Sequence, residues 1–186
     1  MVDIVSRPLL TVYVTGVTYT VSWFVRWFDT DLLYFCDMEN NTDDEVIGFY
    51  EREFYTFSNF SSFAIEWRGR LWMTSEHAYQ AAKFDDSTIQ EEIRNARSAH
   101  DSKKLAEKYQ EKIRSNWSEV RLEIMEEILL VKLAQHPYVM KKLLQTGERM
   151  LVEDSWRDAY WGWGPNKDGE NHLGRLWMKI RDELEK

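Results

Sequence analysis

Residues 74–84 read TSEHAYQAAKF, and how this run folds decides how the rest of the chain is arranged around it. Thr74 or Ser75 opens it as a helix cap, since a hydroxyl at that position accepts a free N–H of the first turn. Once helical, Glu76, Gln80 and Lys83 recur at i, i+4 and i+7, within roughly 60° of one another around the axis. Ala78, Ala81 and Ala82 stand opposite and let neighbours approach closely. Two readings are open: a solvated polar stripe over an alanine-rich buried side, or an acid, an amide and an amine aimed into a cleft. Spacing alone favours the first. His77, beside the stripe, reads as a hydrogen-bonded structural histidine.

Working outward, strands precede this helix and helices follow it. IGFY at 47–50 is a short strand, and FAIEW-RG-RLWM at 63–73 is a hairpin turning at Arg68-Gly69. Ser87 with Gln90 forms a capping-box pattern for a helix to about Ala96, and Ser98 starts another through Tyr109. Ser118 starts a long helix in which Val120, Ile124, Ile128 and Val131 recur at helical spacing. Pro137 opens the next at its first turn, and Gly147 ends it. MLVE at 150–153 is a strand, DSWRDAYWGWGPNKDGEN at 154–171 an irregular loop, and Asn171 the cap of a last helix. A long loop with four large aromatics braced by Gly and Pro packs or grips, and loops of that kind in small domains are usually functional.

At 186 residues, 44% of them apolar, the chain suits one principal domain with a proper core. Residues 1–46 form an N-terminal extension of different character. Its uncharged stretch from Pro8 to Val25 just reaches the length of a membrane helix, yet its threonines, tyrosines and Gly16 suit alternating strands turning at Thr15-Gly16. Met38 is a second candidate start. The single cysteine, Cys36, excludes an intrachain disulfide and fits the reducing cytoplasm. Four histidines without close pairing give no metal site, and neither a GxGxxG nor a GxxxxGK motif is present, so no metal or cofactor is expected. The net charge of −8 opposes nonspecific nucleic-acid binding, with Arg94, Arg97, Lys103 and Lys104 as a local basic exception. Nine tryptophans suit a ligand carrying a flat ring.

Asp158 stands just before Tyr160-Trp161-Gly162-Trp163-Gly164, where it reads either as the turn-former of the loop or as a carboxylate beside stacking rings. FSNFSSF (57–63), EHAYQAAKF (76–84), Trp117, KLAQHP (132–137), LLQTGERMLVEDS (143–155), DAYWGWG (158–164) and NHLGRLWMKIRDEL (171–184) then follow one another in an order that resembles the NADAR family, which includes the YbiA-like N-glycosidases. The resemblance spans residues 47–186. It implies a compact, mainly helical α+β domain that hydrolyses ribosyl carbon–nitrogen bonds without a cofactor. Its implied substrate is a ribosylamino-pyrimidine 5′-phosphate intermediate of riboflavin synthesis or an ADP-ribosylated guanine. Carried over residue by residue, it places the essential acid on Glu76, the second carboxylate on Asp158 and the sugar-engaging lysine on Lys83. Trp117 and Trp161 become the site aromatics, and Gln80, Trp163 and Asn171 complete the expected substrate-binding set. Trp177 stands where relatives often carry leucine.

Such a reaction builds positive charge on the sugar and needs a proton source for the departing nitrogen. Glu76, in an apolar pocket, would serve as general acid/base while Asp158 stays ionised; Lys83 would bind phosphate or attack C1 of the ring-opened sugar. A module that binds ADP-ribose without cleaving it would keep the aromatics and Lys83 but need no Glu76. A purely structural domain would bind neither ADP-ribose nor ribose 5-phosphate.

Overall fold

The computed structural model describes residues 10–14, 17–21, 45–50 and 54–184. The chain divides into two units, Met1–Glu45 and Val46–Lys186. In the first, β1 (Leu10–Val14) pairs antiparallel with β2 (Val17–Val21), Leu10 opposite Val21. The expected Thr15-Gly16 turn lies outside the described residues, as does the candidate start at Met38. Among the described residues no helix is long and apolar enough to cross a membrane.

The second unit runs β3 (Val46–Phe49), β4 (Ile65–Trp67), β5 (Arg70–Trp72), α1 (Ser75–Ala81), α2 (Ser87–Arg94), α3 (Ala99–Lys108), α4 (Trp117–Gln135), α5 (Pro137–Leu144), β6 (Met150–Glu153) and α6 (His172–Leu184). It is the mainly helical α+β domain with a few short strands that the sequence leads one to expect. β4 and β5 form the hairpin, with Arg68 (φ 51°) and Gly69 (φ 71°) both left-handed, as a two-residue turn matching the strand twist requires. β3 and β6 pair in parallel, Phe49 opposite Glu153, so the last strand before the long loop is anchored to the first strand of the unit.

The core gathers on α4 and α6. Ile124, Met125, Ile128, Leu129, Val131 and Leu133 of α4 are buried, and Trp177 of α6 is fully enclosed. The Trp177 Nε1–H donates to the Phe57 carbonyl at 2.9 Å and its ring meets that of Phe57 at 5.3 Å, so this buried indole has its polar edge satisfied. Two helix starts differ from the sequence reading. Asp86, not Ser87, caps α2, because its carboxylate accepts the Thr88 N–H at 2.8 Å and the Ile89 N–H at 3.4 Å, while Gln90 turns to the Phe84 carbonyl. α4 begins at Trp117, one residue before Ser118.

Candidate active site

Every residue of α1 is buried, Glu76 and Gln80 included. The solvated-stripe reading therefore fails: the acid and the amide point into the protein. Thr74 starts the helix as a cap, its Oγ1 accepting the His77 N–H at 3.3 Å. The His77 ring lies between Thr74 Oγ1 (2.8 Å from Nδ1) and the Ala96 carbonyl (3.3 Å from Nε2). Burial lowers its pKa, so it is a neutral structural histidine as expected. Two backbone bonds fix this segment: Glu76 N–H donates to the Asn59 carbonyl at 3.0 Å, and Arg114 N–H to the Lys83 carbonyl at 2.9 Å.

Burial pushes the Glu76 carboxyl above its ordinary range; a hydrogen bond from Gln80 Nε2 at 2.7 Å and the positive charges of Lys83 and Lys103 work against that, while Asp158 adds to it. Gln80 is thus first the partner of Glu76, and its Oε1 is buried with no hydrogen-bond partner. Lys83 lies just past the end of α1, half-buried, its ammonium 5.5 Å above the Tyr79 ring. Burial lowers its pKa and Glu76 opposes the shift.

The aromatic wall is built on Tyr79. Its ring meets Trp117 at 5.1 Å and Trp161, edge-on, at 5.4 Å, and Trp161 meets Tyr160 at 5.0 Å. Trp117 and Trp161, 44 residues apart in sequence, are therefore brought onto one tyrosine three residues from Glu76. Tyr79 was not singled out from the sequence, although its place inside EHAYQAAKF was the signal.

Asp158 does what its turn-forming reading requires: its Oδ1 accepts the N–H groups of Tyr160 (3.0 Å) and Trp161 (2.8 Å). By fixing the backbone of Trp161 it also sets that ring against Tyr79. Its charge is close enough to raise the pKa of Glu76 and to oppose the lowering of Lys83. Trp163 does not join the wall; its N–H donates to the Glu153 carbonyl at 3.0 Å and its ring faces Lys167 at 5.8 Å. Asn171 turns its side chain inward. It is buried at φ 51°, its Oδ1 accepting the Glu153 N–H and its Nδ2 donating to the Leu151 carbonyl, so its amide clamps β6 instead of capping α6 or meeting a ligand.

What Asn171 holds in place is a third carboxylate. Glu153 ends β6 buried, and its pKa is pushed up to about 8 by burial and then by Asp158 and Glu76, with Lys103 opposing. A charged residue closing an otherwise apolar strand was the sequence signal for it. Lys103 belongs here too, since its charge bears on Glu76, Lys83 and Glu153. The local basic patch was thus partly a site feature. Among the described residues no cluster could hold a metal ion. The loop tolerates no side chain at Gly162, where a Cβ would fall 2.5 Å from the Glu153 carbonyl oxygen. Gly162→Ala is expected to cost about 2 kcal/mol through overpacking against backbone, read as a lower urea midpoint with an unchanged slope.

Fold and site together define a mainly helical α+β domain with three carboxyl groups and two lysines gathered beside an aromatic wall. The NADAR domain model matches residues 47–185, and the chain belongs to that family. It is 38% identical over 143 residues to the N-glycosidase YbiA of Escherichia coli, covering 76% of this chain and 89% of that one. It is 39% identical over 151 residues to a riboflavin biosynthesis protein of Vibrio vulnificus, of whose length the match spans only 41%. The solved NMR structure of Escherichia coli YbiA superposes with a TM-score of 0.70 at 38% identity, covering 76% of this chain and 86% of that chain.

Proposed function

We propose that residues 47–186 are the catalytic domain of a cytoplasmic N-glycosidase that hydrolyses the ribosyl carbon–nitrogen bond of a ribosylamino-pyrimidine 5′-phosphate. The observation that carries this reading is Glu76, a buried acid with a raised pKa beside Lys83 and the wall of Tyr79, Trp117 and Trp161. An acid whose pKa is raised by burial holds its proton to higher pH and can protonate the departing nitrogen, and its conjugate base can then accept a proton from water. The names of the relatives, N-glycosidase and riboflavin biosynthesis protein, support the same substrate class.

In this scheme the aromatic wall holds the base. Lys83, made less basic by burial, attacks C1 of the ring-opened sugar as a free amine. The bond from C1 to the base nitrogen breaks, Glu76 gives that nitrogen its proton, and C1 is left as an imine on Lys83. Water, losing a proton to the Glu76 carboxylate, adds to the imine and releases ribose 5-phosphate and the free lysine. Asp158 offsets the positive charge at C1. Substrate and one water give the amine and ribose 5-phosphate, with no redox change.

The test is incubation with the ribosylamino-pyrimidine 5′-phosphate, assay of released ribose 5-phosphate, and a borohydride quench followed by peptide mapping. Release together with a reduced ribosyl adduct on Lys83 is expected. Release without an adduct would remove the covalent step. If neither this substrate nor an ADP-ribosylated guanine oligonucleotide is cleaved while ADP-ribose binds, the chain is the non-catalytic binding module instead.

A further inference from the structure

One cation beside the aromatic wall has no part in this chemistry. Arg121 lies on α4 one helical turn after Trp117, its guanidinium carbon 3.7 Å from the centroid of the Tyr160 ring. Tyr160 meets Trp161, Trp161 meets Tyr79, and Tyr79 meets Trp117, so α4 closes the wall at both ends, with Trp117 at one and Arg121 at the other. Trp117, Ser118, Ile124 and Met125, the neighbours of Arg121 one turn to either side, offer it no carboxylate. Nor does any other described residue. Arg68, Arg94, Arg114 and Arg181, by comparison, each stand within ion-pair distance of a carboxylate. The Nε of Arg121 is buried without a hydrogen-bond partner.

A guanidinium held over an aromatic ring has given up much of its rotational freedom and keeps N–H donors for hydrogen bonding, and a guanidinium fork takes phosphate oxygens in pairs. His172, the other group against Tyr160, with ring centroids 4.3 Å apart, is already paired with Glu170 at 2.7 Å. Lys83 and Lys103 bear on the cleft's carboxylates by charge, and Lys83 stands over the Tyr79 ring beside the sugar-cleaving acid. Arg121 is the guanidinium on this wall, and it keeps a buried Nε–H without a partner.

We infer that Arg121 binds the phosphate of the substrate and makes the site selective for phosphorylated ribosyl groups over the bare sugar. This rests on the N-glycosidase reading and assigns phosphate recognition to α4, leaving Lys83 to the sugar. The experiment compares kcat/KM of wild type, Arg121→Lys and Arg121→Gln on the ribosylamino-pyrimidine 5′-phosphate and on its dephosphorylated nucleoside, with thermal unfolding to confirm that the variants fold. Wild type is expected to favour the phosphorylated substrate by about a hundredfold, the size of a lost charge-assisted contact. In Arg121→Gln that ratio falls toward one, mainly through KM, and Arg121→Lys lies between. An unchanged ratio, with both substrates slowed alike, overturns the assignment. If wild type cleaves neither substrate, the glycosidase reading fails by itself. Calorimetric binding of ribose 5-phosphate against ribose then decides on Arg121: a preference lost in Arg121→Gln retains the site, and equal binding in wild type removes it.

Discussion

Glu76→Gln lowers kcat by about a thousandfold, the usual worth of a positioned general acid/base, while leaving KM and the unfolding midpoint nearly unchanged. The amide keeps the size of the acid and can still accept the bond from Gln80 Nε2. It has no proton to transfer to the leaving nitrogen at neutral pH and cannot take one from water. Stability should not fall, because burial already disfavours the ionised carboxylate that the substitution removes. The pH profile adds a second readout. Glu76 and Glu153 are both raised by burial, and the charges of Glu76 and Asp158 add to the rise at Glu153, so protonation of the two is linked. The acid form is present below the raised pKa and lost above it, so wild-type activity should decline on the alkaline side. A Glu76→Gln protein with full kcat would transfer the acid role to Glu153, the other buried carboxyl with a raised pKa.

How much of this was legible in the sequence depended on whether a signal was local. The Arg68-Gly69 turn, Pro137 at the start of α5 and the Thr74 cap each follow from a few neighbouring residues, and each is found. The face shared by Glu76, Gln80 and Lys83 was also local, but its burial was not. Periodicity reports which residues share a face, whereas what covers the face is set by Asn59, Trp117 and Trp161, brought in from far along the chain. The amide of Asn171 and the backbone of Trp163 are turned to the chain for a related reason. In a loop this tightly cross-braced, polar groups are used on backbone, Asn171 on β6 and the Trp163 N–H on Glu153. Glu153 and Arg121 went unnoticed because a lone charge at a strand end or on a long helix shows its environment only once the neighbouring elements are in place.

Lys132→Met is expected to destabilise the protein by about 3 kcal/mol and to slow turnover as well, although Lys132 is not at the catalytic wall. Its ammonium, fully buried in the last turn of α4, donates to the carbonyls of Thr56 and Ser58 (3.0 Å to the latter) and to Ser61 Oγ at 2.7 Å. Three acceptors match the three donors of an ammonium, and among the described residues no carboxylate is paired with it. The same loop carries the Asn59 carbonyl that accepts the Glu76 N–H, so loosening it releases the first turn of α1 and the position of the acid. Burial pushes the Lys132 pKa from 10.5 down to about 7. Between those values the unfolded chain holds a proton that the folded chain has released. This lysine therefore adds stability as pH rises from about 7 toward 10.5, while below about 7 both states are charged and the slope vanishes. Urea unfolding of wild type and Lys132→Met at pH 6.5 and pH 9 should show the gap between them widening at the higher pH. An equal gap at both would mean that the three acceptors hold the charge against burial, while a gap near zero at both would remove Lys132 as the pin of this loop.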